Sequence, residues 1–237
     1  MTSPKKNVAI LISGRGSNMA ALVAAAAERD YPAQIVGVVC DRADASGLNF
    51  AAAKGIPTQI LARADHASRE AHDEAIDAAL AALGAEIVCL AGYMRILTAR
   101  FVEKWQGRMI NIHPSLLPSF KGLDSHAMAL AAGVRIHGCT VHFVTPEADD
   151  GPIIAQAAVP VLIGDNAEAL VARVLKAEHH LYPLALRMVA EGKARMENGR
   201  TVFADAAQIE ESARSLLSSP SAIRDDVDLE HLARITP

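Results

Sequence analysis

The chain has 237 residues, 51% of them apolar and 21% charged, with a net charge of -4. That length can bury a sizeable core in one large domain or two small ones, and the slight acidity gives no electrostatic case for nucleic acid. No apolar run approaches membrane-spanning length, and the apolar stretch in MTSPKKNVAILISG is too short for a signal peptide. A reduced, cytoplasmic protein is therefore expected, with no membrane partner. Cys40, Cys89 and Cys139 are far apart, each in an apolar strand-like run, and read as buried thiols. No CxxC pair suggests zinc, and no metal is expected.

In chain order, Val8–Ile12 is a continuous apolar run ended by Ser13-Gly14, the mark of a buried parallel strand. A glycine-bearing loop and a helix over about 17–28 follow. Residues 34–40 read as a strand, 43–54 as a helix stopped by Gly55 and Pro57, and 58–61 as a short strand. An amphipathic helix over 66–83 ends at Gly84, and 86–91 is another buried strand. This alternation predicts a doubly wound, mostly parallel α/β sheet with a Rossmann-like N-terminal half. A short strand at 109–112 then leads into NIHPSLLP, and a helix over 125–132 ends at Gly133. Residues 139–144 and 153–161 read as an antiparallel pair at the sheet edge, joined by TPEADDGP. A long helix over about 166–191 and a small hairpin at 193–204, turning at Asn198-Gly199, close the compact region. One domain over 1–204 is expected, with halves at about 7–100 and 101–204. The 205–237 extension is expected to be partly flexible, with a mobile Ser-, Pro- and Asp-rich tail from Ser215.

Two segments carry chemistry. SGRGSN, Ser13 to Asn18, lies between the first strand and the first helix. Its backbone N–H groups and the helix N-terminus suit an anion. Met19 stands where a dinucleotide fingerprint needs its third glycine, and Gly16 where a Walker loop needs lysine. The loop suits a single phosphate, and also reads as a tight turn capped by Ser17 or Asn18. In NIHPSLLP, Asn111 and His113 are two apart on a strand and face one side, with Ile112 turned to the core. An amide beside an imidazole can hold an oxyanion on a carbonyl carbon under attack, and a protonated imidazole can pass a proton. A nearby carboxylate favours the charged ring, and Asp149 and Asp150 are the candidates. No serine or cysteine elbow accompanies them, which argues against an acyl-enzyme.

NIHPSLLP, followed by FKGLDSH, HGCTVHFV and DDGPIIAQ, resembles the formyltransferases that use 10-formyltetrahydrofolate. With ISGRGSN in front, the chain is similar to the glycinamide ribonucleotide branch of that family, over about residues 7–195. The resemblance implies formyl transfer from the folate co-substrate to the ribonucleotide amine, in purine biosynthesis, by a monomer or homodimer. It implies a catalytic trio of Asn111, His113 and Asp149. It places Gly16, Ser17, Asn18 and Glu178 on the substrate phosphate and ribose. It places Arg69, Met94, Arg95, Ile96, Leu97, Asn111, Thr145, Pro146, Glu147, Ala148 and Asp149 at the folate. Thr140 and His142 would stand behind the site.

By the residues alone, Arg69 reads as a solvated helix charge, Met94–Leu97 as core packing, and Glu178 beside His179 and His180 as surface. One departure is Asp150, where the family often has a small residue; a second carboxylate there can disturb its neighbour. Rival readings are a formyltetrahydrofolate deformylase, a methionyl-tRNA formyltransferase and a non-catalytic nucleotide-binding module. The first usually carries an N-terminal regulatory domain, for which a strand starting near Asn7 leaves no expected room. The second needs a further domain and a basic surface.

Overall fold

The computed structural model describes residues 4–204. The expected extension at 205–237 and its tail lie outside them. The first half runs β1 (Lys6–Ile12), α1 (Ser17–Ala26), β2 (Ala33–Cys40), α2 (Ser46–Ala53), β3 (Thr58–Ile60), α3 (Arg69–Ala82) and β4 (Ile87–Leu90). The second half runs α4 (Ala99–Lys104), β5 (Met109–His113), α5 (Ser125–Ala131), β6 (Ile136–Phe143), β7 (Ile153–Pro160), α6 (Ala167–Ala190), β8 (Ala194–Glu197) and β9 (Arg200–Phe203).

Seven strands form one sheet in the order β3-β2-β1-β4-β5-β6-β7, and β8 and β9 form the small hairpin. The first five pair in parallel, whereas β6 runs antiparallel to β5 and β7 antiparallel to β6. The doubly wound, mostly parallel sheet is therefore observed. Along β1 the side chains alternate between two cores. Val8, Ile10 and Ile12 join Met19, Leu22, Leu170 and Tyr182 under α1 and α6. Ala9 and Leu11 join Ile76, Leu80, Phe101 and Trp105 under α3 and α4. The buried Tyr182 hydroxyl lies 2.9 Å from the Leu90 carbonyl and 3.1 Å from the Ile110 carbonyl, tying α6 to β4 and β5. All three cysteines are buried and free, and burial pushes the Cys89 and Cys139 thiols up to about 12.

Three boundaries differ from expectation for local reasons. The α3 helix starts at Arg69 because the Ser68 hydroxyl accepts from the Ala71 N–H, and Arg63–Asp65 form a separate 3-10 turn. The α4 helix was not expected; six residues are too few for a periodic signal, although Thr98 caps it through the Phe101 N–H at 3.3 Å. The β6 strand begins at Ile136, because His137 and Gly138 are buried and paired with Val159 and Ala158.

His137 packs edge-on against His126 (5.2 Å) and Phe120 (5.9 Å). Burial chiefly, and then the neighbouring His126, push its ring down to about 4 from 6.5. Burial lowers His126 as well. A depressed folded value means that the unfolded chain binds the proton first. Stability from this pair is present above pH 6.5 and declines as pH falls toward about 4. We expect His137→Phe, which keeps the ring packing, to abolish about 2 kcal/mol of that acid-induced loss. Urea melts between pH 7 and 4.5 test this; equal slopes for variant and wild type would refute it.

Candidate active site

In an open α/β sheet, ligands sit at the carboxyl ends of the strands where strand order reverses. Here that point lies between β1 and β4. The loop after β1 carries Gly16-Ser17-Asn18, the segment after β4 carries Met94–Leu97, and β5 ends in Asn111 and His113. All three face the same crevice edge. Ser13 joins the first two, since its hydroxyl accepts from the Met94 N–H at 2.9 Å.

Gly16 is the N-cap of α1 in a left-handed conformation (φ 72°), and a Cβ there would lie 2.8 Å from the Met19 side chain and 3.2 Å from the Gly47 backbone. No side chain caps α1, so the capped-turn alternative for Ser17 and Asn18 does not hold. Asn18 instead donates through Nδ2 to Glu178 on α6 at 2.6 Å. Glu178 is buried (6% exposed), which corrects the surface reading by the residues alone. Burial raises its carboxyl above the usual range, opposed by the Asn18 bond and by His113. Asn18, Glu178 and His113 thus share one neighbourhood.

At the end of β5, His113 is buried, with Nδ1 3.4 Å from Asp149 Oδ2 and Nε2 3.0 Å from the Phe120 carbonyl. Each ring nitrogen faces an oxygen acceptor, so a doubly protonated ring has both N–H groups directed. Asp149 has φ 52° and also accepts from the Gly122 N–H at 3.0 Å. The choice between the two aspartates follows: Asp149 turns to His113, whereas Asp150 turns outward to Lys121.

His142 orients Asn111. Its Nδ1–H donates to the Phe143 carbonyl (2.8 Å), which leaves Nε2 to accept from the Asn111 amide (3.3 Å). Burial lowers the affinity of His142 for a second proton, which suits that acceptor role. The Asn111 NH2 group keeps one N–H free of this bond. Thr140 acts one step further back: it donates to the Ser115 carbonyl (2.7 Å) and accepts from the Leu117 N–H (3.0 Å), holding the turn after His113.

A cavity of about 590 Å³ opens beside this cluster. Arg95, Ile96, Leu97, Asn111 and the Thr145–Asp149 loop line it, together with Tyr93, His142, Leu90, Val102 and Val144. Met94 and Arg69 are not on its wall. They line an adjoining groove of about 640 Å³ with Arg63 and His72, and Arg95 and Ile96 border both. Sequence reasoning did not single out Tyr93 or Arg63; Tyr93 directly precedes Met94–Leu97, and only the fold brings Arg63 to the same groove as Arg69. Arg95 is held by Asp41 at 2.7 Å. Among the described residues no group of three or more His, Cys, Asp and Glu is placed to hold a metal ion, and no helix is long and apolar enough to cross a membrane.

A left-handed glycine at the start of α1 on one side and an oriented amide beside a buried imidazole on the other define the class: a doubly wound α/β protein with its candidate site at the switch point of the sheet. A family model described as "Formyl transferase" matches residues 6–186, and the chain belongs to that family. It is 52% identical over 199 residues to the cattle (Bos taurus) "Trifunctional purine biosynthetic protein adenosine-3", covering 83% of this chain and 20% of that one. The chain thus spans about a fifth of the length of that relative. It is 43% identical to the Escherichia coli (strain K12) "Phosphoribosylglycinamide formyltransferase", covering 80% of this chain and 90% of that one. A crystal structure of phosphoribosylglycinamide formyltransferase from Brucella melitensis aligns with TM-score 0.78 and 52% identity, over 91% of this chain and all of that one. A formyltetrahydrofolate deformylase from Pseudomonas syringae pv. tomato is more distant, at 27% identity and TM-score 0.79, over 85% and 67% of the two chains.

Proposed function

We propose that this chain transfers the formyl group of 10-formyltetrahydrofolate to the primary amine of glycinamide ribonucleotide, giving formylglycinamide ribonucleotide and tetrahydrofolate in purine biosynthesis. The observation that carries this reading is the His113–Asp149 pair at the end of β5, with the Asn18–Glu178 link close enough for His113 to act on Glu178. The ribonucleotide phosphate sits on the N–H groups of Gly16, Ser17 and Asn18, and Glu178 takes the ribose hydroxyls. The pterin occupies the cavity beside Asn111, and the glutamate end of the folate extends to Arg69.

The neutral amine attacks the formyl carbon, and the carbonyl oxygen becomes an oxyanion that accepts from the free Asn111 N–H, while His113, its two N–H groups directed to Asp149 and the Phe120 carbonyl, stabilises it through the charge of its ring. Asp149 supports the charged imidazole and takes the amine's proton through water. The tetrahedral intermediate collapses as the bond to N10 breaks, and N10 takes up through water the proton that Asp149 received, which returns Asp149 to its carboxylate. One such oxyanion donor is worth about 2.7–4 kcal/mol of barrier.

The test is consumption of 10-formyltetrahydrofolate followed by absorbance, with and without the ribonucleotide. Consumption only with it supports the transferase. Consumption without it, with formate released, makes the protein a deformylase and overturns the assignment of the loop.

Glu178 supplies a second check. A raised carboxyl favours the neutral form in the fold, so its stabilising effect is present below the ordinary carboxylate range and is lost as pH rises through the raised value. Glu178→Gln keeps an acceptor for Asn18 and removes the buried charge. We expect a melting temperature at pH 7 equal to or above wild type, and a KM for the ribonucleotide raised about tenfold or more. An unchanged KM would remove Glu178 from the substrate site.

A further inference from the structure

Two residues of one short segment, Phe120 and Gly122, touch the catalytic pair. The Phe120 carbonyl meets His113 Nε2 at 3.0 Å, and the Gly122 N–H donates to Asp149 at 3.0 Å. Between them, Lys121 forms an ion pair with Asp150. The segment after β5 is thereby joined to the loop between β6 and β7 at two adjacent points, one through backbone and one through charge. Asp149 holds a left-handed backbone (φ 52°), an uncommon conformation for a residue with a side chain, so its loop depends on neighbours to stay in place.

We propose that Lys121 and Asp150 are positioning residues: their ion pair clasps the Asp149 loop to Phe120–Gly122 and cancels the charge that Asp150 would otherwise impose on the His113–Asp149 pair. The inference rests on the catalytic reading of that pair given above. Lys121 is 39% exposed and Asp150 56% exposed, so the pair contributes modestly to stability and acts mainly on the geometry and field next to it. Other charged or titratable groups around His113 are Asp149, Glu178, His126, His137 and His142. None of these changes in the variants below.

The experiment is an NMR titration of the His113 ring in the full chain, run for wild type, Lys121→Ala, Asp150→Ala and the swapped pair Lys121→Asp/Asp150→Lys. Without Lys121 the uncompensated carboxylate favours the imidazolium, and the His113 midpoint rises. Without Asp150 the uncompensated ammonium lowers it. The swapped pair returns it toward wild type. Turnover falls about two- to fivefold in each single variant, with both KM values little changed, and recovers in the swap. Midpoints that stay fixed or move in the same direction in both single variants overturn the proposal. So does wild-type turnover in both, or a swap no better than the single changes. If wild type transfers no formyl group, the catalytic reading falls, while the His113 midpoints still decide whether the clasp exists.

Discussion

Asp149→Asn is expected to leave the fold intact and to lower turnover by about two to four orders of magnitude. The carboxamide oxygen can still accept from the Gly122 N–H at 3.0 Å, so the loop retains its anchor. What it loses is the negative charge 3.4 Å from His113 Nδ1 and the capacity to take a proton. The amide NH2 also presents donors where the ring N–H needs an acceptor. Both roles assigned to Asp149 therefore fail together: support of the imidazolium and removal of the amine's proton. The measurement is kcat in the formyl-transfer assay, with circular dichroism and thermal melting to confirm folding. Wild-type turnover in a folded Asp149→Asn would rule out this proton path. The same substitution at Asp150 is expected to cost only about two- to fivefold, because Asp150 faces Lys121 and not the ring; the contrast between neighbours separates a direct role from an indirect one.

Gly138→Ala is expected to cause a large loss of stability. Gly138 lies in β6 opposite Ala158, and a Cβ there would stand 1.9 Å from the Ala157 carbonyl oxygen and 2.9 Å from the Leu116 side chain. A flexible side chain can move aside, but a backbone carbonyl in a paired strand cannot without breaking the β6–β7 ladder. Overpacking of this kind costs about 3 kcal/mol, which for a domain of this size lowers the melting temperature by about 6–12 °C. Activity falls with it, since β6 carries Thr140 and His142 and leads into the Asp149 loop. A melting temperature within a degree or two of wild type would show that the edge of the sheet can yield.

The two experiments probe different levels of one design. The sheet sets where β5 and β6 lie, the side chains of His142 and Thr140 set the Asn111 amide and the turn after His113, and the Asp149 loop completes the pair. Disturbing the sheet moves everything above it, whereas the carboxamide disturbs only the last step.

Much of this was legible in the sequence because it is local. Apolar runs ended by glycine marked β1 and β4, and a two-residue period put Asn111 and His113 on one face. Glycine and serine after β1 marked the loop and the start of α1, with Gly16 as its N-cap. These features depend on neighbours a few residues apart, and periodicity reports such neighbours faithfully. The short α4 and the early start of β6 escaped because six residues carry no period, and because His137 and Gly138 do not look like strand interior until β7 lies beside them. By the residues alone Asp149 and Asp150 stood as equal candidates, and apart from the family resemblance it is the tertiary structure that decides which one meets His113, since adjacent residues on a turn diverge and the β6–β7 connection sets which one points inward. It also decided that Glu178 is buried against Asn18 rather than solvated: the two are 160 positions apart, and no local pattern records a contact made when α6 packs across α1.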